Sequence, residues 1–315
     1  MPLSEYVAQL KAVFAGRDRY AAHAAAAPVL RSMTHDPHVL HEILKLNLAK
    51  PEFLGRKRHH PIIGFTAEEN RTFTLMASCF PPLPDRAADV SHQTIHHHGD
   101  LLLTTAAAHG SGYDSILFRK GWEIDPSSKL ARMEIDKSFT HTLHNVEFIE
   151  ARAPHIVFYP PSLSVTYALW SRREAHPLDG LRRSALLQAI KKPLIALVKR
   201  LGLARSLGVN AIEYFDFYVR DAKVYALKER IFGYEVGTNE NFVQNVCFVL
   251  QQVGFDDDGF LEGLKRGLAA SGQDRAVFWI DQLVQRKAVP DRFEPSHLHI
   301  EKINLKKADV LAAFQ

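Results

Sequence analysis

Apolar residues near the start of the chain recur at the spacing of an amphipathic helix. Val7, Leu10 and Phe14 form one such series, and a second series follows Asp36. Side chains three or four positions apart lie on the same face of a helix, so each series predicts a helix with one buried face. Asp36 directly precedes a proline, and this pair is a typical helix start. We therefore expect an N-terminal helical region over residues 1–60.

Between residues 61 and 171 the pattern changes to short runs rich in β-branched and aromatic side chains. Thr72–Met76 and Tyr113–Phe118 are examples, and Pro, Gly and Asp residues separate the runs. Short strands at this spacing are typical of a sandwich or a barrel. Helical spacing returns in residues 172–315, where an aromatic-rich stretch predicts a buried helix over about residues 210–232. The whole pattern predicts an α+β fold with a central β-rich domain between two helical regions.

The composition agrees with a globular chain and excludes several classes. The 315 residues are 46% hydrophobic and 23% charged, which is ordinary for a folded protein and excludes a disordered or collagen-like chain. Cys79 and Cys247 lie far apart and form no CxxC pair, so neither a disulfide framework nor a zinc knuckle is indicated. Because there is no signal-like start and no run of about 18 apolar residues, we expect a cytoplasmic protein without a membrane span.

Positive charge is concentrated in one segment. Residues 171–210 contain nine Lys or Arg and two acidic residues, whereas the whole chain has a net charge of only +4. The segment has no interleaved aromatic residues and no nucleic-acid-binding motif. It therefore indicates a solvated helix face, and no nucleic-acid partner is expected.

Histidine is the residue type that points to chemistry. The chain has 17 histidines, and His96, His97 and His98 are consecutive. On a strand, residues two apart face the same side, so His96 and His98 project together while His97 points away. His141 and His144 form a second pair, and a returning strand could bring one of them to the same ion. Three neutral imidazoles bind Fe(II), Zn(II), Ni(II) or Cu(II) and leave coordination positions open.

The segment around these histidines resembles the cupin family. The first cupin motif reads G(x)5HxH(x)3–4E(x)6G, and the spacing from His96 and His98 through Leu103 to Gly110 matches the second part of that motif. Leu103 stands where the motif has a glutamate. The resemblance covers residues 61–171 and implies a double-stranded β-helix barrel around a metal ion.

Without that glutamate, the segment looks like the three-histidine iron enzymes of the family, such as the thiol dioxygenases. This resemblance implies Fe(II), dioxygen and a small, anionic or amino-acid-like substrate. His155 and Tyr159 then match catalytic groups that hydrogen-bond substrate or oxygen, and Arg152 is placed to bind a substrate carboxylate. For the third ligand, His141 matches the H(x)3N spacing of the second cupin motif, and His144 matches an H-x-V pattern. We favour His144 and keep His141 open.

The histidine pattern and this resemblance together predict a mononuclear non-haem Fe(II) oxygenase that acts on a small molecule. The segment from His98 to Asp100 is also the H-x-D pattern of 2-oxoglutarate-dependent oxygenases, in which His141 would be the distal ligand and 2-oxoglutarate a cosubstrate. A non-catalytic cupin that senses a small ligand is a further alternative. A homodimer is compatible with each of these interpretations.

Overall fold

Four helices open the chain in the computed structural model. They are α1 Leu3–Phe14, α2 Arg19–Thr34, α3 Pro37–Leu48 and the short α4 Pro51–Leu54. The Asp36 side chain accepts the backbone N–H of His38, and Pro37 lies in the first turn of α3, as the sequence predicts. The structure describes residues 1–56, 62–82, 95–171, 216–227, 238–293 and 306–314.

The β-rich part of the chain forms antiparallel sheets. The described strands are β1 Ile63–Glu69, β2 Phe73–Phe80, β3 Ile95–His96, β4 Leu102–His109, β5 Tyr113–Phe118, β6 Glu123–Ile124, β7 Ala131–Arg132, β8 Ile135–His141, β9 Val146–Ile149, β10 His155–Val157, β11 Ser164–Ser171, β12 Asp216–Arg220 and β13 Lys223–Ala226. One sheet has the order β1-β2-β11-β4-β9, a second has the order β13-β12-β3-β10-β5-β8, and β6 pairs with β7. Among the described strands, the pairing leaves these sheets separate rather than closed into one barrel.

The five-stranded sheet is covered on both faces. Leu75 and Ala77 of β2 pack with helix side chains in the main hydrophobic core. The opposite face meets the six-stranded sheet in a second apolar group, which we call the inter-sheet core. Its members are Leu103, Leu117, Ile149, Ala153 and Ala168, with Met76, Phe139 and Trp170 packed against them. Because both faces are covered, the first six residues of β4 are all buried.

A buried histidine joins α2 to the outer face of the five-stranded sheet. Nδ1 of His23 lies 2.7 Å from Oγ1 of Thr104, and its Nε2 lies 2.7 Å from Oγ of Ser171. Both ring nitrogens are therefore hydrogen-bonded, as is usual for buried polar groups. This contact holds β4 and β11 against the helix, so their other face is directed toward the inter-sheet core.

Helices also follow the β-rich part. They are α5 Asn239–Gln252, α6 Asp258–Ala270, α7 Asp274–Val284 and α8 Lys307–Ala312. The Phe242 ring of α5 lies 5.5 Å from that of Phe53, and the Asn239 amide donates to the Leu54 carbonyl oxygen over 2.7 Å. Helices before and after the β-rich part of the chain, together with antiparallel sheets, confirm the predicted α+β class. None of the described helices is long and apolar enough to cross a membrane.

One part of the predicted C-terminal helical region is a β-hairpin. Strands β12 and β13 occupy residues 216–226, where the sequence pattern predicts a helix, so that prediction is wrong there. Asp221 and Ala222 have φ values of +50° and +54°, which suit a two-residue hairpin turn. The aromatic residues pair across the strands instead, with the stacked rings of Tyr218 and Tyr225 5.4 Å apart. The basic side chains predicted to line a helix after β11 lie outside the described residues.

Candidate metal centre

Two neighbouring strands of the six-stranded sheet bring three histidines together. His96 on β3 lies directly opposite His155 on β10, and His98 follows two positions after His96. Side chains that are directly opposite in antiparallel strands share a face of the sheet. The ring centroids are 4.4 Å apart for His96 and His155, 4.8 Å for His98 and His155, and 5.0 Å for His96 and His98. We call this group the histidine triad.

The nitrogen positions of the triad fit a metal ion. One ligand nitrogen from each ring lies within 4.8 Å of the other two, and Nε2 of His98 is 3.1 Å from Nε2 of His155. Two nitrogens that each lie about 2.1 Å from one ion, at roughly a right angle, are about 3 Å apart. Neutral imidazoles are also common ligands of transition metals. The triad could therefore hold one divalent transition-metal ion.

A backbone carbonyl group orients His155. Nδ1 of His155 lies 3.3 Å from the Ala153 carbonyl oxygen, so Nδ1–H donates to that oxygen and Nε2 keeps its lone pair. Burial lowers the pKa of His155 well below 6.5, and the neighbouring His96 lowers this pKa further. His155 is therefore a neutral imidazole whose Nε2 faces His98.

His97, just after the end of β3, points away from its two neighbours. The Gly99 N–H donates to Nδ1 of His97 over 3.0 Å. The His97 ring packs against Trp122, with 4.9 Å between the ring centroids. This arrangement is the alternation that the sequence predicts for consecutive histidines on a strand.

The inter-sheet core forms an apolar wall beside the triad. The Trp170 ring meets the His98 ring edge-on, with centroids 4.6 Å apart and an angle of 86° between the planes. Trp170 packs against the core that contains Leu103, the residue at the position of the cupin glutamate. This side of the site is therefore hydrophobic.

His141 lies apart from the triad, between the two sheets. Nε2 of His141 is 3.0 Å from Oγ1 of Thr105, and the His141 ring is edge-on to Tyr113. Burial lowers the pKa of His141 to about 4, and the charge of Lys137 contributes to this shift. Nδ1 of His141 has no hydrogen-bond partner among the described residues. The structure does not bring this histidine to His98.

His144, which the sequence favours as the third ligand, packs against the end of α2. Its Nδ1 is 2.9 Å from Oγ1 of Thr34, and its ring stacks on His35 with 3.8 Å between centroids. The reason is topological, because β8 ends at His141 and lies at the edge of the sheet, whereas β10 pairs with β3. The third imidazole beside the HxH pair is thus His155.

Asp100 and Arg152 form an ion pair instead of entering the triad. Nε of Arg152 is 2.8 Å from Oδ1 of Asp100, and both side chains are about half exposed. The Arg152 backbone N–H also donates to the Gly99 carbonyl oxygen over 2.8 Å. The ligand set of the 2-oxoglutarate alternative, which combines His98 with Asp100 and His141, is therefore not brought together.

Tyr159 belongs to the main hydrophobic core and not to the triad. Its ring is buried in this core, which also contains side chains of the N-terminal helices. The hydroxyl group has no hydrogen-bond partner among the described residues, and burial raises the pKa of Tyr159 above its usual value. The contacts of Tyr159 therefore do not support the catalytic role that the resemblance implies for it.

Several solved structures that are similar to part of the chain are cupin proteins. An RmlC-like cupin from Methanocaldococcus jannaschii with a double-stranded β-helix fold is 7% identical, over 36% of this chain and 81% of that chain, with a TM-score of 0.22. A cupin-superfamily sugar phosphate isomerase from Silicibacter pomeroyi is 10% identical, over 35% and 59%, with a TM-score of 0.23.

A structure of DMSP lyases is similar to the same extent. It is 11% identical over 35% of this chain and 47% of that chain, with a TM-score of 0.23, so the chain spans about half the length of that protein. No family model and no curated protein matches the chain. At these identities and TM-scores, nothing about activity follows from the solved structures.

Proposed function

We propose that the chain is a metal-dependent enzyme in which the histidine triad holds one Fe(II) ion for a reaction with dioxygen. The observation that carries this proposal is the convergence of His96, His98 and His155, with their ligand nitrogens within 4.8 Å of one another. Three neutral imidazoles leave coordination positions for a substrate and for dioxygen, and such a ligand set suits Fe(II). A bound ion would supply Lewis acidity and a site for oxygen binding.

The residues around the triad support a small substrate with an anionic group. The three imidazoles contribute no negative charge, so a divalent ion held by them attracts an anionic substrate. Trp170 and Leu103 provide an apolar wall that excludes water from one side of the site. The Arg152 guanidinium is paired with Asp100, so we place the anionic group of the substrate at the ion rather than at Arg152.

The first test compares the metal content of two histidine variants. Protein prepared without a histidine tag and reconstituted anaerobically with Fe(II) is analysed by elemental mass spectrometry. We expect about one iron per chain in wild type, loss of iron in His155→Ala, and retention in His144→Ala, because His155 faces His98 whereas His144 packs against the end of α2. Retained iron in His155→Ala, or loss in His144→Ala, would contradict the proposed ligand set.

Oxygen consumption then separates catalysis from ligand sensing. The iron-loaded protein is screened with thiols, amino acids and 2-oxoglutarate in an oxygen electrode. Oxygen uptake with one substrate class, absent in His98→Ala, is expected for the proposed oxygenase. Full iron loading without oxygen uptake for any substrate would favour the non-catalytic alternative.

A further inference from the structure

A buried carboxyl group lies next to the triad in the same sheet. Asp216 is the first residue of β12, and the antiparallel register places it directly opposite His96. Its exposure is 1%, and no other acidic residue in the described part of the chain is buried. Buried acids are rare in proteins because removing a charge from water is costly. Asp216 is thus an unusual buried acid, and it lies beside a candidate metal ligand.

The register places Asp216 on the face of the sheet that carries the triad. Asp216 is opposite His96, His96 is opposite His155, and His155 is opposite Leu117 of the inter-sheet core. Directly opposite residues share a face, with Cβ atoms about 5 Å apart. The next residue, Phe217, takes the other face, where its ring meets Trp122.

The hairpin holds Asp216 at this position. The Leu227 N–H donates to the Asp216 carbonyl oxygen over 2.8 Å, and β12 is paired along its length with β13. The Asp216 carboxyl group is not among the three ligands that converge within 4.8 Å. Its place is therefore beside the ligand set rather than within it.

We propose that Asp216 is a positioning residue that stabilises a divalent metal ion in the triad by balancing part of its charge. This inference rests on the proposed metal binding. Three neutral imidazoles leave both charges of the ion uncompensated, and a buried carboxylate next to His96 interacts strongly with them because little water screens the interaction. One positive charge then remains for an anionic substrate group.

The test measures the affinity for Co(II) at constant pH. The dissociation constants of wild type, Asp216→Asn and Asp216→Glu are determined by competition with a chelator, and the visible Co(II) spectrum is recorded for each. We expect Asp216→Asn to bind Co(II) about 10- to 100-fold more weakly, which is typical when a partner outside the ligand set is lost. Asp216→Glu keeps the charge and should bind more tightly than the Asn variant.

Asp221→Asn is the matched control. Asp221 lies in the turn of the same hairpin with 85% of its side chain exposed, so this variant makes the same change in net charge away from the triad. We expect it to bind Co(II) like wild type. An Asp216→Asn variant that binds within twofold of wild type would overturn the inference, even if the metal-free protein were less stable.

If Asp216→Asn does not fold, as judged by circular dichroism, Asp216→Ser replaces it as the neutral variant. Co(II) binding by Asp216→Ser that is more than twofold weaker than wild type supports the inference, and binding within twofold of wild type overturns it. If wild type itself binds no Co(II), both the proposed function and the role of Asp216 fail, whereas equal binding by all variants removes only the latter.

Discussion

One hydrogen bond decides which nitrogen of His155 faces the other histidines. The Ala153 carbonyl oxygen accepts Nδ1–H, and Nε2 is left toward His98. Metal-binding histidines generally use one nitrogen for the ion and the other for such a bond. Burial keeps the imidazole neutral, so its lone pair is available to an ion without first losing a proton.

The Asp100 side chain distinguishes the three-histidine oxygenase from the 2-oxoglutarate-dependent alternative. We predict that Asp100→Ala retains the wild-type metal content, because its carboxylate pairs with Arg152. An exposed ion pair contributes less than about 1 kcal/mol, so the free energy of unfolding should change by no more than that. Elemental analysis and urea unfolding test the two statements. Loss of the metal in this variant would support the H-x-D ligand set of the 2-oxoglutarate alternative.

Among the structural elements, the turn between β4 and β5 depends on a close backbone approach. Gly110 has a φ of +88°, and a Cβ atom there would collide with the carbonyl oxygen of Leu163, just before β11. This glycine is also the last residue of the cupin-like spacing. The turn therefore lets the chain pass from β4 in the five-stranded sheet to β5 in the six-stranded sheet while it lies close to the start of β11.

We predict that Gly110→Ala destabilises the protein more than Gly121→Ala. Gly121 has a φ of +95° and no atom within 4 Å of its hypothetical Cβ, so it reports the conformational cost alone. That cost is about 1–2 kcal/mol. Urea unfolding should show a larger loss of unfolding free energy for Gly110→Ala, since the backbone around Leu163 must move to relieve the collision. Equal losses would show that the turn relaxes freely.

For the whole molecule, two buried histidines link stability to pH. Burial lowers the pKa of His23 to about 4 and that of His141 to about 4, with smaller contributions from Arg19 and Lys137 respectively. In the unfolded chain both return to about 6.5. Between these values the unfolded state binds more protons, so the stabilising effect is complete above pH 6.5 and is lost as the pH falls toward 4.

We predict a slope of up to about 1.4 kcal/mol per pH unit for each of these histidines within that window. The free energy of unfolding of the metal-free protein is measured by urea at several pH values. The variant His23→Gln should be less stable at pH 7.5 and should lose stability less steeply on acidification. Parallel pH profiles for variant and wild type would contradict the assignment of His23 as a titrating group.

The sequence by itself determined the features that depend on local periodicity. The N-terminal helices, the β-rich segment and the opposite directions of His97 and its two neighbours all follow from spacing of two or of three to four residues. The α+β class follows from the same patterns. The density of aromatic residues predicted the secondary structure less well, because strands and helices both bury aromatic side chains. Residues 216–226, for which it predicted a helix, form a hairpin.

Only the tertiary structure decided which residues meet at the candidate centre. Strand pairing joins residues that are far apart in the chain, and its register is set by packing over whole sheets. The pairing of β3 with β10 brings His155 to the HxH pair, whereas β8 carries His141 at the sheet edge. The pairing of β3 with β12 places Asp216 opposite His96, across 120 positions of sequence. Local patterns carry no information about such partners.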